Sequence, residues 1–331
     1  MAREPVEDSA AFIVEVCWHY YIIGKTQAEV AAHLGVTRLR VNQAIQKAKA
    51  LGIVQIQIDS PFTMRFEMQR DLEAAFGLQK ALVVPSDEVQ YDFHMPVGAG
   101  LATYLTERLK VADWRSLGVS WGLTLNNTIQ KLPRQSCPDL EVISILGGTS
   151  QGAPFNAFGI ASGIAGAIGA KYSILTAPIY LAEGIDRDLF LSQAMLREHF
   201  DKFHSLDAVL LSCSNVSSKS FLVSHGLPKE MTTERLREAG AIGDVLGQFL
   251  DKDGNSISPY IDNRTIGMPL DQVRKVPEKI MAAAGPHKVE ILCAAIKRNL
   301  VDTLVTDDVT ARLLLEKVGF VAQADAAHAT R

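Results

Sequence analysis

The stretch that decides the fold, residues 26–50, reads TQAEVAAHLGVTRLRVNQAIQKAKA. Thr26 stands three residues before Glu29, which is the spacing of a capping box, so a helix is expected to begin there. Gly35 can adopt the left-handed conformation that ends a helix and turns the chain back. Thr37 is placed to cap a further helix, which is expected to fill the rest of the stretch. Two helices around a short glycine turn are the layout of a helix-turn-helix motif.

The flanking segments extend this motif at both ends. Residues 9–23, SAAFIVEVCWHYYII, carry apolar residues at helical spacing and predict a first helix. Residues 52–59, GIVQIQID, alternate in polarity and predict a short strand that completes a winged variant or serves only packing. The chain is therefore expected to begin with a small, three-helix, winged helix-turn-helix domain.

The charge of this segment points to DNA. The whole chain has a formal charge of −4, whereas the part from Lys25 to Leu51 has five basic residues against one acidic residue, a formal charge of +4. A basic patch in an otherwise acidic protein favours a local contact with nucleic acid, although a helical hairpin with a solvated basic face is the alternative. The residue types on and before the last helix can bind base edges or phosphates. The predicted DNA-binding residues are Thr26, Gln27, Thr37, Arg38, Arg40, Asn42, Gln43, Gln46 and Lys47.

Composition excludes several other classes of protein. The four cysteines are far apart and form no CxxC pair or Cys/His cluster, so we expect free thiols in the reducing cytoplasm, with no metal and no cofactor. Residues 142–170 carry no charge, but polar residues and a proline interrupt them, and the small apolar part is shorter than the roughly 20 residues of a membrane span. A buried strand, a loop and a tightly packed helix are the preferred interpretation.

The chain is expected to divide into four parts. Residues 60–77 place Met64, Met68, Leu72 and Phe76 at helical spacing. They predict a linker helix that serves an oligomer contact or packs on the large domain. The predicted boundaries are 1–58 for the DNA-binding domain, 59–77 for the linker helix, 78–320 for an effector-binding domain and 321–331 for a flexible tail.

In the large domain, short apolar runs alternate with amphipathic segments. This alternation predicts a doubly wound α/β domain, with a mostly parallel sheet covered by helices on both faces. Ligands of such sheets bind in the loops at the carboxyl ends of the strands. The predicted strands are Ala81–Val84, Ser116–Ser120, Leu140–Ile145, Tyr172–Leu175, Ala208–Ser212 and Thr303–Thr306.

Four places in these loops are candidate effector contacts. Two glycines and two hydroxyls follow a strand in the run GGTS and favour an anion such as phosphate. Asp244 follows a glycine in a predicted turn, where its carboxylate accepts sugar hydroxyls or only caps the turn. Lys288 near a helix start is a ligand cation or a surface charge. The predicted effector-binding residues are Trp121, Gly122, Thr124, Gly147, Gly148, Thr149, Ser150, Asp244 and Lys288.

The ordered set of segments resembles the SorC family of bacterial sugar-binding regulators, also described as DeoR-type. The matching segments are QAEVAAHLGVTRLRVNQAI, LGIVQIQI, AAFGL, LGVSWGLTL, VISILGGTS, GAIGDVLGQFLDKDG and HKVEILCAAIKRNLVDTLVTDDVTARLLL, which together span nearly the whole chain. The chain departs from the family at Asn42-Gln43-Ala44, where members often have Ser-Arg-Leu. It departs again after the strand at 208–212, where SCSNVSS replaces a glycine-rich turn.

The resemblance implies a regulator of a carbohydrate or polyol operon. It implies a large domain similar to sugar-phosphate isomerases and glucosamine-phosphate deaminases, and a homodimer or homotetramer on a palindromic operator. Carried onto this chain, it assigns the phosphate of an effector to Gly147–Ser150, sugar hydroxyls to Asp244, and the phosphate or a hydroxyl to Lys288. The second departure leaves unphosphorylated sugars and polyols open as effectors.

The rival hypothesis is an enzyme, a sugar-phosphate isomerase or deaminase on the same large domain. Such chemistry needs a general base and an acid over the sugar carbons. The loops supply Asp244, Lys288, Asp307 and Asp308, but the sequence marks no base and acid pair among them. The helix-turn-helix has no purpose in such an enzyme, so the regulator is preferred.

Overall fold

The computed structural model describes residues 9–54, 63–86, 92–152 and 155–320. The chain forms two compact units, Met1–Thr63 and Met64–Arg331. Their boundary falls inside the predicted linker 59–77, and nearly all of the helix found there belongs to the second unit. The predicted strand Gly52–Asp59, from its fourth residue on, and the predicted tail 321–331 lie outside the described residues.

The described part of the first unit is helical. Its elements are α1 (Ala10–Cys17), a π-helix (Trp18–Ile22) that continues α1, α2 (Gln27–Leu34) and α3 (Arg38–Ala50). The predicted first helix over 9–23 is thus present from Ala10 to Ile22, and its second half widens into a π-helix. The three α-helices close around a small core of aliphatic side chains, to which α3 contributes Val41, Ala44, Ile45 and Ala48.

The local signals of the helix-turn-helix are confirmed. The Thr26 hydroxyl accepts a hydrogen bond from the Glu29 amide at 3.3 Å, and the Glu29 carboxylate accepts one from the Thr26 amide at 2.7 Å. Gly35 ends α2 with a φ of 67°, in the left-handed region that favours glycine. The Thr37 hydroxyl caps α3 by accepting from the Arg40 amide at 3.3 Å. These contacts span three residues or fewer, so the sequence encodes them directly.

Loss of the capping box is expected to loosen α2. Thr26→Ala removes the hydroxyl that satisfies an amide of the first turn, so we expect the first unit to lose about 1 kcal/mol of stability. The measurement is hydrogen exchange of the α2 amides, with Thr26→Ser, which keeps the hydroxyl, as the control. Equal protection in Thr26→Ala and the wild type would contradict the cap.

The second unit is built on a parallel sheet. Its seven strands lie in the order β1, β10, β9, β5, β2, β3, β4, and every described pairing between them is parallel. A small antiparallel sheet, β6–β7–β8, follows the end of β5. The strands are β1 (Lys80–Val84), β2 (Ser116–Val119), β3 (Glu141–Ser144), β4 (Lys171–Ser173), β5 (Ala208–Leu211), β6 (Cys213–Asn215), β7 (Gly243–Val245), β8 (Gln248–Leu250), β9 (Glu278–Ala282) and β10 (Thr303–Asp307).

Helices connect these strands and cover the sheet. Among the described residues they are α4 (Thr63–Phe76), α5 (His94–Val111), α6 (Leu123–Lys131), α7 (Ala157–Ile168), α8 (Arg187–Leu191), α9 (Ala194–Asp201), α10 (Phe221–His225), α11 (Thr233–Glu238), α12 (Pro259–Asp262), α13 (Leu270–Val273), α14 (Val289–Lys297) and α15 (Asp308–Lys317). The Asp307 side chain caps the last of them, accepting from the Thr310 amide at 2.7 Å.

Alternate residues of each strand feed two separate hydrophobic cores. In β3, Val142 joins the core that α5, α6 and α7 cover, whereas Ile143 joins the core on the other face. The same alternation occurs at Leu304 and Val305 of β10. Successive strand side chains point to opposite faces, so helices on both faces are needed to bury them. The predicted doubly wound α/β architecture is confirmed.

The structure adds strands that the sequence did not reveal. β9 begins with Glu278 and Lys279, whose charges hid it. Lys279 is nevertheless buried, with its Nζ 2.7 Å from the Asp302 carboxylate, and Arg108 binds Glu278 at 2.8 Å. The strand predicted over Tyr172–Leu175 ends at Ser173, because the Leu175 amide instead donates to the Ser144 hydroxyl at 2.7 Å.

The uncharged stretch 142–170 contains most of β3 and the whole of α7, with loop residues between them. Gly163 of α7 lies so close to α6 that an added Cβ would stand 2.7 Å from a side-chain carbon of Ile129. The small residues of α7 thus allow close packing of this helix against α6. Within the described ranges, no helix has the length and apolarity needed to cross a membrane.

Candidate functional site

A cavity of about 580 Å³ opens at the carboxyl end of the parallel sheet. Its walls come from the loop after β2, the segment from Ser212 to Leu222 after β5, strand β7 and the turn before α14. Parallel strands place their following loops at one edge of the sheet, so residues far apart in sequence meet there. Of the predicted effector residues, the cavity brings together Trp121, Gly122, Thr124, Asp244 and Lys288.

The loop after β2 is shaped by Gly122. Its φ of 127° lies in the region that side chains rarely adopt, and its amide donates to the Phe155 carbonyl at 3.0 Å. This bend turns the chain from β2 into α6, so the first residues of α6, Leu123 and Thr124, border the cavity. The amino end of a helix favours negative charge, because its first amides have no partner within the helix.

Asp244 is a buried carboxylate in the cavity wall, with 3% of its surface exposed. The prediction that Asp244 lies in a turn was wrong, since the residue lies in β7, next to a tight hairpin turn. The Gly247 amide donates to one carboxylate oxygen at 3.0 Å, and the Ser214 hydroxyl donates to the other. Burial raises the pKa of Asp244 from 3.8 to about 6, against the lowering effect of these two hydrogen bonds and of Lys288.

Lys288 is a buried cation in the same cavity, with 6% of its surface exposed. It ends the turn Pro286–Lys288, so it is not the surface charge that was the alternative. No carboxylate of the described residues lies within 4.0 Å of its Nζ, which instead lies over the Phe93 ring, 5.6 Å from the ring centroid. Burial lowers the pKa of Lys288. A buried charge without an ion pair is costly, which favours a role in binding a ligand.

His94 is a cavity residue that sequence reasoning missed. Its Nδ1 lies 3.0 Å from the Thr124 hydroxyl. Burial, together with the charge of Lys288, lowers the pKa of His94 to about 4, so the imidazole is neutral at pH 7. A neutral imidazole can both donate and accept hydrogen bonds. The residue begins α5 without any nearby motif, so nothing local marked it.

Aromatic rings form the apolar part of the wall. The Trp121 and Phe221 rings meet edge to face with centroids 5.5 Å apart, and Phe221 also contacts Phe155 at 4.8 Å. The polar segment SCSNVSS contributes Ser212, Ser214 and Ser217 to the same wall. A wall that combines aromatic rings with hydroxyls, a carboxylate and a cation suits a small polyhydroxylated molecule.

The predicted phosphate loop, Gly147–Ser150, does not border this cavity. A Cβ on Gly147 would stand 2.5 Å from the Pro178 carbonyl, and one on Gly148 would stand 2.7 Å from the Asn156 side-chain oxygen. The two glycines thus permit close packing of the backbone, as seen where Gly148 pairs with Pro178. Thr149 and Ser150 border a separate groove of about 340 Å³ beside the start of α7. The structure therefore separates this loop from Asp244 and Lys288.

In the first unit, the predicted DNA-binding residues other than Thr37, the exposed cap of α3, fall into two groups. Thr26, Gln27 and Arg38 border a hollow with Tyr20 and Lys25, at the amino end of α2. The second group lies along α3, where most of the side chains are exposed. Its members are Asn42, Gln43, Gln46 and Lys47, which are exposed, and Arg40, which is partly buried with its guanidinium 5.0 Å from the centre of the Phe12 ring.

Comparison with known proteins identifies relatives along most of the chain. Residues 60–316 match the family model described as "Putative sugar-binding domain". The "Erythritol catabolism regulatory protein EryD" of Brucella abortus (strain 2308) is 25% identical over 309 residues, which are 93% of this chain and 97% of that protein. The "Transcriptional regulator LsrR" of Escherichia coli (strain K12) is 27% identical over 309 residues, covering 92% and 94%.

Solved structures share the fold. The full-length sorbitol operon regulator SorC from Klebsiella pneumoniae superimposes with a TM-score of 0.71 at 23% identity, over 92% of this chain and 98% of that one. A domain of a sugar-binding transcriptional regulator from Arthrobacter aurescens TC1 gives a TM-score of 0.67 at 22% identity, over 78% of this chain and 100% of that one.

Proposed function

The chain belongs to the family of SorC-type regulators that carry this sugar-binding domain, and from this premise we propose that a small polyhydroxylated effector binds in the 580 Å³ cavity and controls the affinity of the protein for operator DNA. The protein is a transcriptional regulator of carbohydrate or polyol use. The relatives EryD and LsrR are named as regulators, and each matches more than nine-tenths of this chain. Neither of them supports the rival enzyme hypothesis.

One observation supports this effector site above all others. The buried carboxylate of Asp244 and the buried cation of Lys288 border one cavity, and neither has an ion-pair partner among the described residues. Leaving two such groups without a pair costs stability, and a ligand that supplies hydroxyls and an anion relieves the cost. Asp244 accepts sugar hydroxyls in this proposal, as the resemblance to the family implies.

We propose further that the effector carries an anionic group, as a sugar phosphate does. Among the described residues, Lys219 and Lys288 border the cavity against one carboxylate, that of Asp244, and the amino end of α6 adds partial positive charge. The anion is assigned to Lys288 and the start of α6. This replaces Gly147–Ser150 as the proposed phosphate site, because that loop borders a different groove.

The test is a thermal-shift screen with matched pairs, each a polyol or sugar and its phosphate. A ligand that binds only the folded protein raises the melting temperature, by an amount that grows with its concentration over Kd. Stabilisation by the phosphates alone supports the anionic effector. Stabilisation by the neutral partners to the same degree would remove the anion from the proposal, and turnover of a hit would revive the enzyme.

Effector binding is expected to strengthen as the pH rises from 5 to 7. Asp244, with its pKa raised to about 6, is mostly protonated at pH 5. Effector hydroxyls stabilise the ionised carboxylate, so binding lowers its pKa and releases a proton near pH 6. Isothermal titration in two buffers of different ionisation enthalpy measures the protons released, and the same titration of Asp244→Asn accounts for the proton of an effector phosphate, whose second pKa is also about 6. An affinity that does not vary over this range, with no proton released, would exclude Asp244 as the acceptor.

The DNA-binding half of the proposal rests on the first unit. α3 is assigned to the major groove, and two copies of the chain in a homodimer or homotetramer are assigned to the halves of a palindromic operator in the cytoplasm. Control arises if the effector binds the DNA-bound and free forms with different affinity. Light scattering of the purified protein with and without operator DNA determines the number of copies.

A further inference from the structure

Helix α3 presents an uncharged stripe on the face turned away from its core. Val41, Ala44, Ile45 and Ala48 are buried on one side of the helix. On the opposite side lie Leu39, Gln43 and Gln46, at i, i+4 and i+7, so they form one line along the axis. All three side chains are exposed, and Leu39 has 66% of its surface exposed. An exposed leucine side chain does not contribute to the stability of the fold through burial.

The cations of α3 flank this stripe and do not belong to it. Arg38 and Lys49 lie on one side, because residues eleven apart fall on nearly the same line of a helix with 3.6 residues per turn. Arg40 and Lys47, seven apart, lie on the other side. The Arg40 guanidinium is held over the Phe12 ring, which directs it toward α1 and away from the stripe. A helix in the major groove contacts base edges with the line of side chains that faces the floor of the groove, and it contacts phosphates with the side chains on either side of that line.

The chemistry of the stripe favours one kind of base pair. Glutamine forms a bidentate pair with N6 and N7 of adenine, and an apolar side chain contacts the thymine methyl group. Guanine is read by arginine or lysine, which are absent from the three stripe positions. Asn42, exposed beside the stripe, is a second residue type that pairs with adenine.

We propose that the operator half-site read by this helix has A·T pairs at its centre, with Gln43 and Gln46 on adenines and Leu39 against a thymine methyl. Arg38, Lys49 and Lys47 bind the phosphates on the two sides and carry no sequence information. This proposal rests on the proposed function, since it applies only if α3 enters the major groove.

The experiment is selection of binding sites from random duplex DNA by the full-length protein and by Gln43→Arg. The substitution places an arginine within the exposed stripe, where it reaches guanine without disturbing the core. We expect the variant to change its preference at one base pair of each half-site to G·C, by about tenfold or more in relative affinity. At that same pair, the wild type is expected to select A·T.

Lys49→Gln is the matched control, since it changes one flanking cation of the same helix. It should weaken binding to all sequences alike and reduce the salt dependence by about one counterion, with the selected sequence unchanged. A wild-type preference for G·C at the pair that Gln43→Arg changes would overturn the proposal, as would a variant that selects the wild-type sequence. If the wild type enriches no sequence, the DNA-binding function itself fails.

Discussion

An Asp244→Asn variant is expected to bind the effector at least about 100-fold more weakly than the wild type, while its affinity for operator DNA stays the same. The carboxylate is buried, and a hydrogen bond from a neutral donor to a charged acceptor contributes about 1.5–3 kcal/mol. Asparagine replaces one acceptor oxygen with an NH₂ donor and leaves a neutral oxygen at the other, so one such bond is lost and the second is weakened, which together amounts to about 3 kcal/mol or 100-fold. Asparagine keeps the volume of the side chain, which limits any damage to packing.

The measurements are isothermal titration with the effector and fluorescence anisotropy with operator DNA. Ser214→Ala is the control, because it removes one hydrogen bond to the carboxylate but keeps the charge. Its loss of effector affinity should be several times smaller than that of Asp244→Asn. If Asp244→Asn still releases DNA at the wild-type effector concentration, the assignment of this cavity is wrong.

Replacement of Lys288 by methionine should stabilise the free protein and abolish its response to an anionic effector. The ammonium group is buried without an ion pair among the described residues, so its removal is expected to raise stability by about 2 kcal/mol, or roughly 4 °C or more in Tm. The same change removes the charge that is assigned to the effector anion. Opposite effects on stability and binding are typical of a binding residue and not of a structural one.

Lys219→Met is the matched control for this variant. Lys219 borders the same cavity but is exposed, so its removal should leave Tm nearly unchanged and lower effector affinity only slightly. Thermal unfolding without ligand, followed by titration with the effector, separates the two effects. A lower Tm for Lys288→Met would show that this cation is satisfied within the fold, which would contradict the proposed site.

The sequence by itself determined the elements whose signals are local. The capping box of Thr26 and Glu29, the left-handed Gly35 and the cap at Thr37 each depend on residues at most three positions apart. Short apolar runs between amphipathic segments likewise predicted six of the seven parallel strands. A strand that is buried on both faces of a sheet needs such a continuous run of apolar residues. These signals, in order along the chain, were also sufficient to indicate the family.

Only the tertiary structure decided which candidates share a site. The order of strands in the sheet differs from their order in the chain, so loops that are close in sequence need not be neighbours. Gly147–Ser150 therefore borders one groove, whereas Asp244 and Lys288 meet His94 in another cavity. β9 was not predicted because its charged Lys279 does not look like a buried residue in the sequence. In the fold, Asp302, which is distant in the chain, pairs with Lys279 and makes its burial possible. Local hydrogen bonds can be predicted from neighbouring residues, but a cavity depends on contacts that form only when the whole sheet assembles.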